Sequence, residues 1–356
     1  MTAQATTPSA TNIERLMAHH VGDVRAHGIR CSLELPIEAG GHLGGAETDH
    51  VTRAELALAL AGLLFDDVQK RVPMARAYVE DAVRAGKPLC FDHGALRTVA
   101  TGCGALPAGH LAFSRLLEPL GYVRAGTYEL ERIGMTGFAY AHRDFAEAIP
   151  QYFVSELHPE RFSGEFQAAV HRVVSGSQDP VSAPSLRSLA DLSESEAVPF
   201  SEAADLLTDL VAAFDRQHDE PTLADYETLL AESAEMAWIS TEGNAFNHAT
   251  DRVADVFAVA EEQKRLGRPM KESVEVSANG NVKQSAFRAA SVERLFRSDE
   301  GHMVVRQVPG SFHEFITRET LAEGSLDLTF DAGNATSIFK MTSASGDLPD
   351  AGAKSA

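Results

Sequence analysis

The chain has 356 residues, with 51 acidic against 31 basic side chains and a formal net charge of -20. Hydrophobic residues make up 44% and charged residues 23%, which excludes a largely disordered chain and allows a substantial core. So negative a chain suits neither nucleic-acid phosphates nor anionic lipid, since both need clustered Lys and Arg. If the ligand is an anion, positive charge has to be supplied locally, inside a negative global field.

No run approaches the ~20 apolar residues of a membrane span. The start, MTAQATTPSATNIERL, has neither a basic n-region nor an apolar h-region, so no secretory signal is expected. Cys31, Cys90 and Cys103 are too few and too scattered for a disulfide framework or a zinc site. A reduced, cytoplasmic protein is the expectation.

Residues 1–10 are expected to be disordered. Thr11-Asn12-Ile13-Glu14 and Thr52-Arg53-Ala54-Glu55 both match the capping box, so helices are predicted at each. The second leads into AELALALAGLLF. ARAYVEDAVRAG is a further helix, stopped by Gly86 and Pro88. LCFDHGALRTVA then reads as a strand, followed by a Gly-rich turn and the helical HLAFSRLLEPLGY. TYELERI, FAYAHRDF and QYFVSEL are rich in aromatic and branched residues and read as strands. Residues 159–240 return to helix and loop, with SQDPVSAPS as loop and Thr222 with Asp225 opening another helix.

The strand texture resumes at NAFNHAT. ATDRVADVFAVAEEQKRLG reads as an amphipathic helix ended by Gly267 and Pro269. Asn279-Gly280, between two strand-like arms, predicts a hairpin. A second hairpin is expected around Pro309-Gly310 in HMVVRQVPGSFHEFITR, and LDLTFDAGNATSIFKM supplies the last strand material. The tail, 346–356, is expected to be disordered.

Two stretches thus share one plan: a strand carrying a His, a helix ending in Leu-Gly, then strands. The strand residues are His93 and His248; the Leu-Gly pairs are Leu120-Gly121 and Leu266-Gly267. The match is architectural, without residue-by-residue identity. It implies an α+β fold in one domain over 11–345: N-terminal helices at 11–87, a first module at 88–158, a helical insert at 159–240 and a second module at 241–345.

Most of the 14 histidines must be incidental. His93 and Arg97 are informative because a strand puts both on one face, with Cα atoms ~13 Å apart. That span suits a metal-ligating His and an Arg clamping the far carboxylate of a short diacid. Glu314 shares a strand face with Phe312 and Ile316, where an unpaired carboxylate is costly. A metal would compensate it, and so would Arg318 or Arg288. His313 faces the other way and should not join Glu314 on one ion. His93, His248 and Glu314 therefore form a possible set of two imidazoles and one carboxylate, which suits non-haem Fe(II) with open positions. No HExxH, Walker A, GxGxxG or GxSxG motif is present.

Four blocks, DHGALRTVA, GYVRAGTYELERIGMTGFAYAHRDFAEAIPQYFVSELHPERFS, EGNAFNHATDRV and PGSFHEFITRE, are similar to the 2-oxoadipate dioxygenase/decarboxylase family and occur in its order. The resemblance implies a fold related to the vicinal-oxygen-chelate proteins, with repeated βαβββ modules around a metal. It implies metal ligation by His93, His248 and Glu314, and substrate clamping by Arg97. It also implies use of Fe(II) and O₂ to turn 2-oxoadipate into 2-hydroxyglutarate and CO₂ in lysine catabolism. Arg288 and Lys340, with Lys283, are weaker candidates for substrate contact from strand context alone. Some family members are longer, so contacts in segments that do not align are not carried over.

Two other readings keep the scaffold: a metal-dependent isomerase or lyase using Lewis-acid chemistry, or a non-catalytic ligand-binding protein. An oxygenase acting on another 2-oxo acid is a further variant. The partners expected are a small 2-oxo diacid and O₂, with no nucleic acid and no membrane; oligomeric state is not legible. For a dianionic substrate, the net charge predicts that low ionic strength hinders association more than high salt does. Steady-state KM against salt tests this, and a KM that rises with salt would show the site's local potential winning.

Overall fold

Threonine caps set where the N-terminal helices begin. In α1 (Asn12–Val21), Thr11 Oγ1 accepts from the Glu14 amide. After α2 (Asp23–Ser32) and the short β1 (His50–Thr52), α3 (Arg53–Arg71) opens with a full capping box between Thr52 and Glu55. α4 (Pro73–Arg84) begins on a proline, whose missing N–H is no loss in a first turn. The computed structural model describes residues 11–35, 49–298 and 300–331. The expected disordered tails, Lys340 and the strand material beyond residue 331 lie outside the described residues.

The first module runs β2 (Phe91–Val99), α5 (Leu111–Leu117), β3 (Tyr122–Leu130), β4 (Met135–His142) and β5 (Gln151–Leu157). The helical stretch that follows holds α6 (Gly164–Val174), α7 (Ala183–Ser195), β6 (Ala197–Pro199), α8 (Phe200–Ala213), α9 (Leu223–Glu232) and α10 (Ala234–Glu242). The second module runs β7 (His248–Arg252), α11 (Val256–Arg265), β8 (Glu275–Val276), β9 (Val282–Ala286), β10 (Ser291–Arg297), β11 (Met303–Pro309) and β12 (Phe312–Arg318).

The modules join into one curled, eight-stranded sheet of order β3-β4-β5-β2-β7-β12-β9-β8. Each contributes four neighbouring strands in the same pattern. β5 is parallel to β2 and antiparallel to β4; β12 is parallel to β7 and antiparallel to β9. The halves meet at the antiparallel pair β2–β7. The fold is α+β with repeated βαβββ units, and α5 and α11 are the crossover helices that parallel pairing requires.

Helices cover both faces. On the back, Leu96, Tyr152, Val154, Phe246 and Ala249 pack with α1, α3 and α8 through residues such as Leu60, Phe65 and Leu207. On the front, Val99, Leu130, Met135 and Leu157 pack with Phe166 and Val170 of α6, Leu229 of α9 and Trp238 of α10. Each large apolar side chain buried in these layers contributes about 1.5–3 kcal/mol. Within 159–240, α6, α9 and α10 thus roof the front face near the C-terminal end of β2, while α7 and α8 lie on the back.

Three sequence expectations are corrected. The helix expected from Ala249 begins only at Val256. Asp255 caps it by accepting from the Phe257 and Ala258 amides, while residues 248–252 are held as a strand between β2 and β12. No hairpin turns at Pro309-Gly310. β11 pairs with β10, with the Ser298 amide donating to the His302 carbonyl at that turn, and β12 crosses into the main sheet. A Pro-Gly pair marks a change of direction but not which strands it joins. Lastly, residues 326–331 form no strand; Leu326 makes only an isolated bridge to Thr320.

Gly94 is required by a close approach on the back face. A Cβ there would lie 2.2 Å from the Phe246 ring. Gly94→Ala should therefore cost about 1–3 kcal/mol through overpacking. Urea denaturation checks this, and an unchanged midpoint would show that Phe246 moves aside freely.

Candidate metal centre

β2, β7 and β12 are consecutive in the sheet, so their front-face residues form rows. His93, Thr250 and Glu314 make one row; Ala95, His248 and Phe312 make the next. Nε2 of His93 lies 3.5 Å from Oε2 of Glu314, and Nε2 of His248 lies 3.7 Å from the same oxygen. The three side chains offer ligand atoms within 4.8 Å of one another. All are nearly sealed from water, at 2% exposure for His93, 5% for His248 and 1% for Glu314. No other such group of His, Cys, Asp and Glu occurs among the described residues.

The donor set fits a divalent transition metal. Donors about 2.1 Å from a shared ion stand roughly 3–3.5 Å apart, close to the 3.5 and 3.7 Å between each imidazole and the carboxylate. Burial pushes the His248 pKa well down, aided by the His93, Arg97 and His313 charges, and so favours the neutral imidazole that binds metal. Burial pushes the Glu314 pKa up, against the His93 ring and the Thr250 hydroxyl. A cation at the focus would favour the carboxylate again.

The ligands are held from behind. A β-bulge shifts the register between Phe91 and His93. The extra residue, Asp92, thereby reaches its neighbour, with Oδ1 2.8 Å from Nδ1 of His93. Arg318 donates to the same carboxylate through Nε and Nη2 at 2.8–3.1 Å. Burial alone would raise the Asp92 pKa, but Arg318 and His93 outweigh it and hold the carboxyl well below its usual range. The Asn247 amide lies 2.8 Å from Nδ1 of His248. Thr250 Oγ1 donates to Glu314 at 2.8 Å. Such supports fix which imidazole nitrogen faces the metal.

Arg318 does a second job. Nη1 donates to the carbonyls of Asp327 and Thr329, both at 2.9 Å. This holds the segment that places the Phe330 ring edge-on to His93, centroids 4.8 Å apart. Phe312 stacks on His248, also at 4.8 Å. The centre is walled by aromatic rings.

Arg97 lies on the same face, two residues beyond Ala95, with 0% exposure. Its guanidinium sits 4.9 Å from the Trp238 ring centre. Burial lowers its pKa to about 10, against the nearby Glu235, so it stays charged at neutral pH. Arg288 is exposed at the end of β9, and Lys283 pairs with Glu319. The pairing of Glu314 with Arg318 or Arg288, entertained above, is not formed, because Arg318 is committed to Asp92. His313 faces the back among Phe65, Tyr78, Phe287 and Phe315, and burial lowers its pKa to about 3.

Asp92, Asn247, Thr250, Trp238 and Phe330 were not legible in advance. Asp92 depends on a bulge that breaks alternation, and the others depend on contacts between distant segments. Breaking the Arg318–Asp92 pair should be costly, since it strands a buried charge. Arg318→Met should lose about 3–5 kcal/mol in urea denaturation. Asp92→Ala/Arg318→Met should lose less than Arg318→Met alone, and an equal or larger loss would refute the stranded-charge account.

Comparison with known proteins agrees with this geometry. The model of the family described as HGLS, 2-oxoadipate dioxygenase/decarboxylase, matches residues 62–339. The chain is 25% identical over 284 residues to the chloroplastic 2-oxoadipate dioxygenase/decarboxylase of Arabidopsis thaliana, covering 71% of this chain and 68% of that protein. A putative glyoxalase superfamily protein from Ralstonia eutropha JMP134 has 51% identity and a TM-score of 0.86, covering 90% of this chain and 99% of the other. The hydroxyglutarate synthase of Oryza sativa, solved with 2-oxoadipate, shares the fold at 19% identity and a TM-score of 0.63, covering 86% and 98%. With three donors converging on one buried point and the family model spanning most of the sequence, the chain belongs to the 2-oxoadipate dioxygenase/decarboxylase family.

Proposed function

We propose that this chain is an Fe(II)- and O₂-dependent enzyme that converts 2-oxoadipate to 2-hydroxyglutarate and CO₂, with residues 11–345 acting as one catalytic unit. The observation that carries this is the convergence of His93, His248 and Glu314 from three strands, on the face that also holds buried Arg97. His93, His248 and Glu314 would hold the iron. Bound Fe(II) supplies the chelation of a 2-oxo acid and the activation of O₂ that side chains cannot.

The rest is the work of the protein. Arg97 takes the distal carboxylate in a charge-assisted, bidentate contact. Trp238, against its guanidinium, keeps that group in place. Phe153, Phe312 and Phe330 exclude water, which strengthens each polar contact inside. Asp92 and Asn247 hold the two imidazoles, and Thr250 orients the carboxylate by its hydrogen bond.

No described helix is long and apolar enough to cross a membrane. A role in lysine degradation in the cytoplasm is part of the same proposal, and the free thiols of Cys31, Cys90 and Cys103 agree with a reducing setting.

Iron-loaded protein should consume O₂ with 2-oxoadipate. His93→Ala, His248→Ala and Glu314→Ala should each abolish this. Arg97→Ala should lower kcat/KM by roughly 30-fold or more, as expected for losing one partner of a buried charge pair worth ~2–5 kcal/mol. An oxygen electrode and product analysis check all of these. O₂ uptake with another 2-oxo acid but not with 2-oxoadipate would remove the substrate assignment and keep the reaction class. Turnover without O₂ would favour a Lewis-acid isomerase or lyase.

A further inference from the structure

The two halves of the sheet are in register around their shared centre. Across β2–β7, His93 pairs with Thr250 and Ala95 with His248. A local two-fold axis between these pairs carries His93 onto His248, Ala95 onto Thr250 and Arg97 onto Arg252. The sequence therefore holds the same H-x-x-x-R twice, at His93–Arg97 and His248–Arg252, an identity that the architectural match alone did not reveal. The two arginines have diverged. Arg97 is buried under Trp238, whereas Arg252 lies against Cys90 and Asp92.

The same rotation carries β5 onto β12. His93 is level with Gln151 and Ala95 with Phe153; His248 is level with Phe312 and Thr250 with Glu314. Phe153 is thus the counterpart of Glu314. Where one half offers a carboxylate to the centre, the other offers a phenyl ring. The ring faces the site, packed with Ala95, Ala139 and Phe330, and its centroid is 4.8 Å from that of Phe330. Its seat is shaped for it, because a Cβ on Gly137 would lie 2.3 Å from the Phe153 ring. The counterpart of Gly137 in the other half is Gln284.

We propose that Phe153 is the residue that keeps the centre at three protein donors. A symmetric pair of modules would offer two imidazoles and two carboxylates. In an octahedral shell, four protein donors and a chelating 2-oxo acid would leave no position for O₂. Three donors leave room for both. Phe153 therefore decides that the site is an oxygenase centre, by closing one ligand position with a group that cannot coordinate. This inference rests on the metal-binding role proposed above for His93, His248 and Glu314.

The test is ligand transplantation, read by Co(II) binding. Affinity is measured by competition with a chelator, and the Co(II) visible spectrum reports donor number and type. Glu314→Ala should weaken Co(II) binding by at least about 10-fold. Adding Phe153→Glu to Glu314→Ala should restore most of that loss, because the new carboxylate reaches the same focus from the opposite side. Phe153→Glu alone should bind Co(II) more tightly than wild type, shift its spectrum and lose O₂ consumption in the iron form. Phe153→Leu should keep wild-type Co(II) affinity, which separates ligation from packing.

A buried carboxylate without metal is costly, so Phe153→His in the Glu314→Ala background provides a neutral donor for the same measurement. Folded double variants that bind Co(II) no better than Glu314→Ala would overturn the inference. Wild-type protein that binds no Co(II) would remove the underlying metal assignment as well, so the two failures are distinguishable.

Discussion

The antiparallel pairing of β2 with β7 is the constraint on which the rest depends. It sets His93 beside Thr250 and Ala95 beside His248, so the two imidazoles stand on adjacent strands one row apart. It also joins the modules into one sheet and places β12 next in order, bringing Glu314 into the same row as His93. A one-residue slip in this pairing would exchange the two faces of β7 and turn His248 and Thr250 to the back. Neither module alone could assemble the centre, because each half brings only one of the histidines.

Around that seam the protein buries several charges, and Asp92, Glu314 and Arg97 each lie against a specific neighbour. Asp92 is held between Arg318 and His93, and Glu314 takes the Thr250 hydroxyl. Arg97 lies against Trp238. Replacing water with these fixed groups makes each interaction stronger than it would be at the surface. It also couples elements far apart in sequence. Arg318 links the His93 support to the carbonyls of residues 327 and 329, and so to the placement of Phe330. The front-face helices contribute in the same way, since α10 brings Trp238 to the Arg97 end of the site.

The global charge of -20 gains its meaning from this arrangement. A field of that sign would repel the proposed dianionic substrate at long range, so its recognition would rest on a few buried positive groups at short range. Symmetry matters here too. The modules share a backbone plan and an H-x-x-x-R pattern, but they differ at equivalent positions, with Phe153 in the place of Glu314 and Arg97 in the place of Arg252.

The sequence by itself determined the local elements and the residue types of the centre. Capping boxes at Thr11 and Thr52 marked helix starts because a cap is a contact within one turn. Asn279-Gly280 marked a hairpin because its backbone preference is local. The two-module plan was legible in the order of strands and helices, and the convergence of His93, His248 and Glu314, with Arg97 on the same face, was legible through alternation and the family resemblance. Only the tertiary structure decided which strands pair. Pro309-Gly310 turns the chain but joins β11 and β12 to different sheets, because pairing is settled by hydrogen bonds to distant partners. Residues 249–252 are a strand for the same reason, despite a helical pattern. Asp92 entered the site through a bulge, and Trp238 and Phe330 entered through long-range packing. The correspondence of Phe153 with Glu314 exists only in the register of the folded sheet, since it is a relation between strand pairs and not between neighbours in the chain.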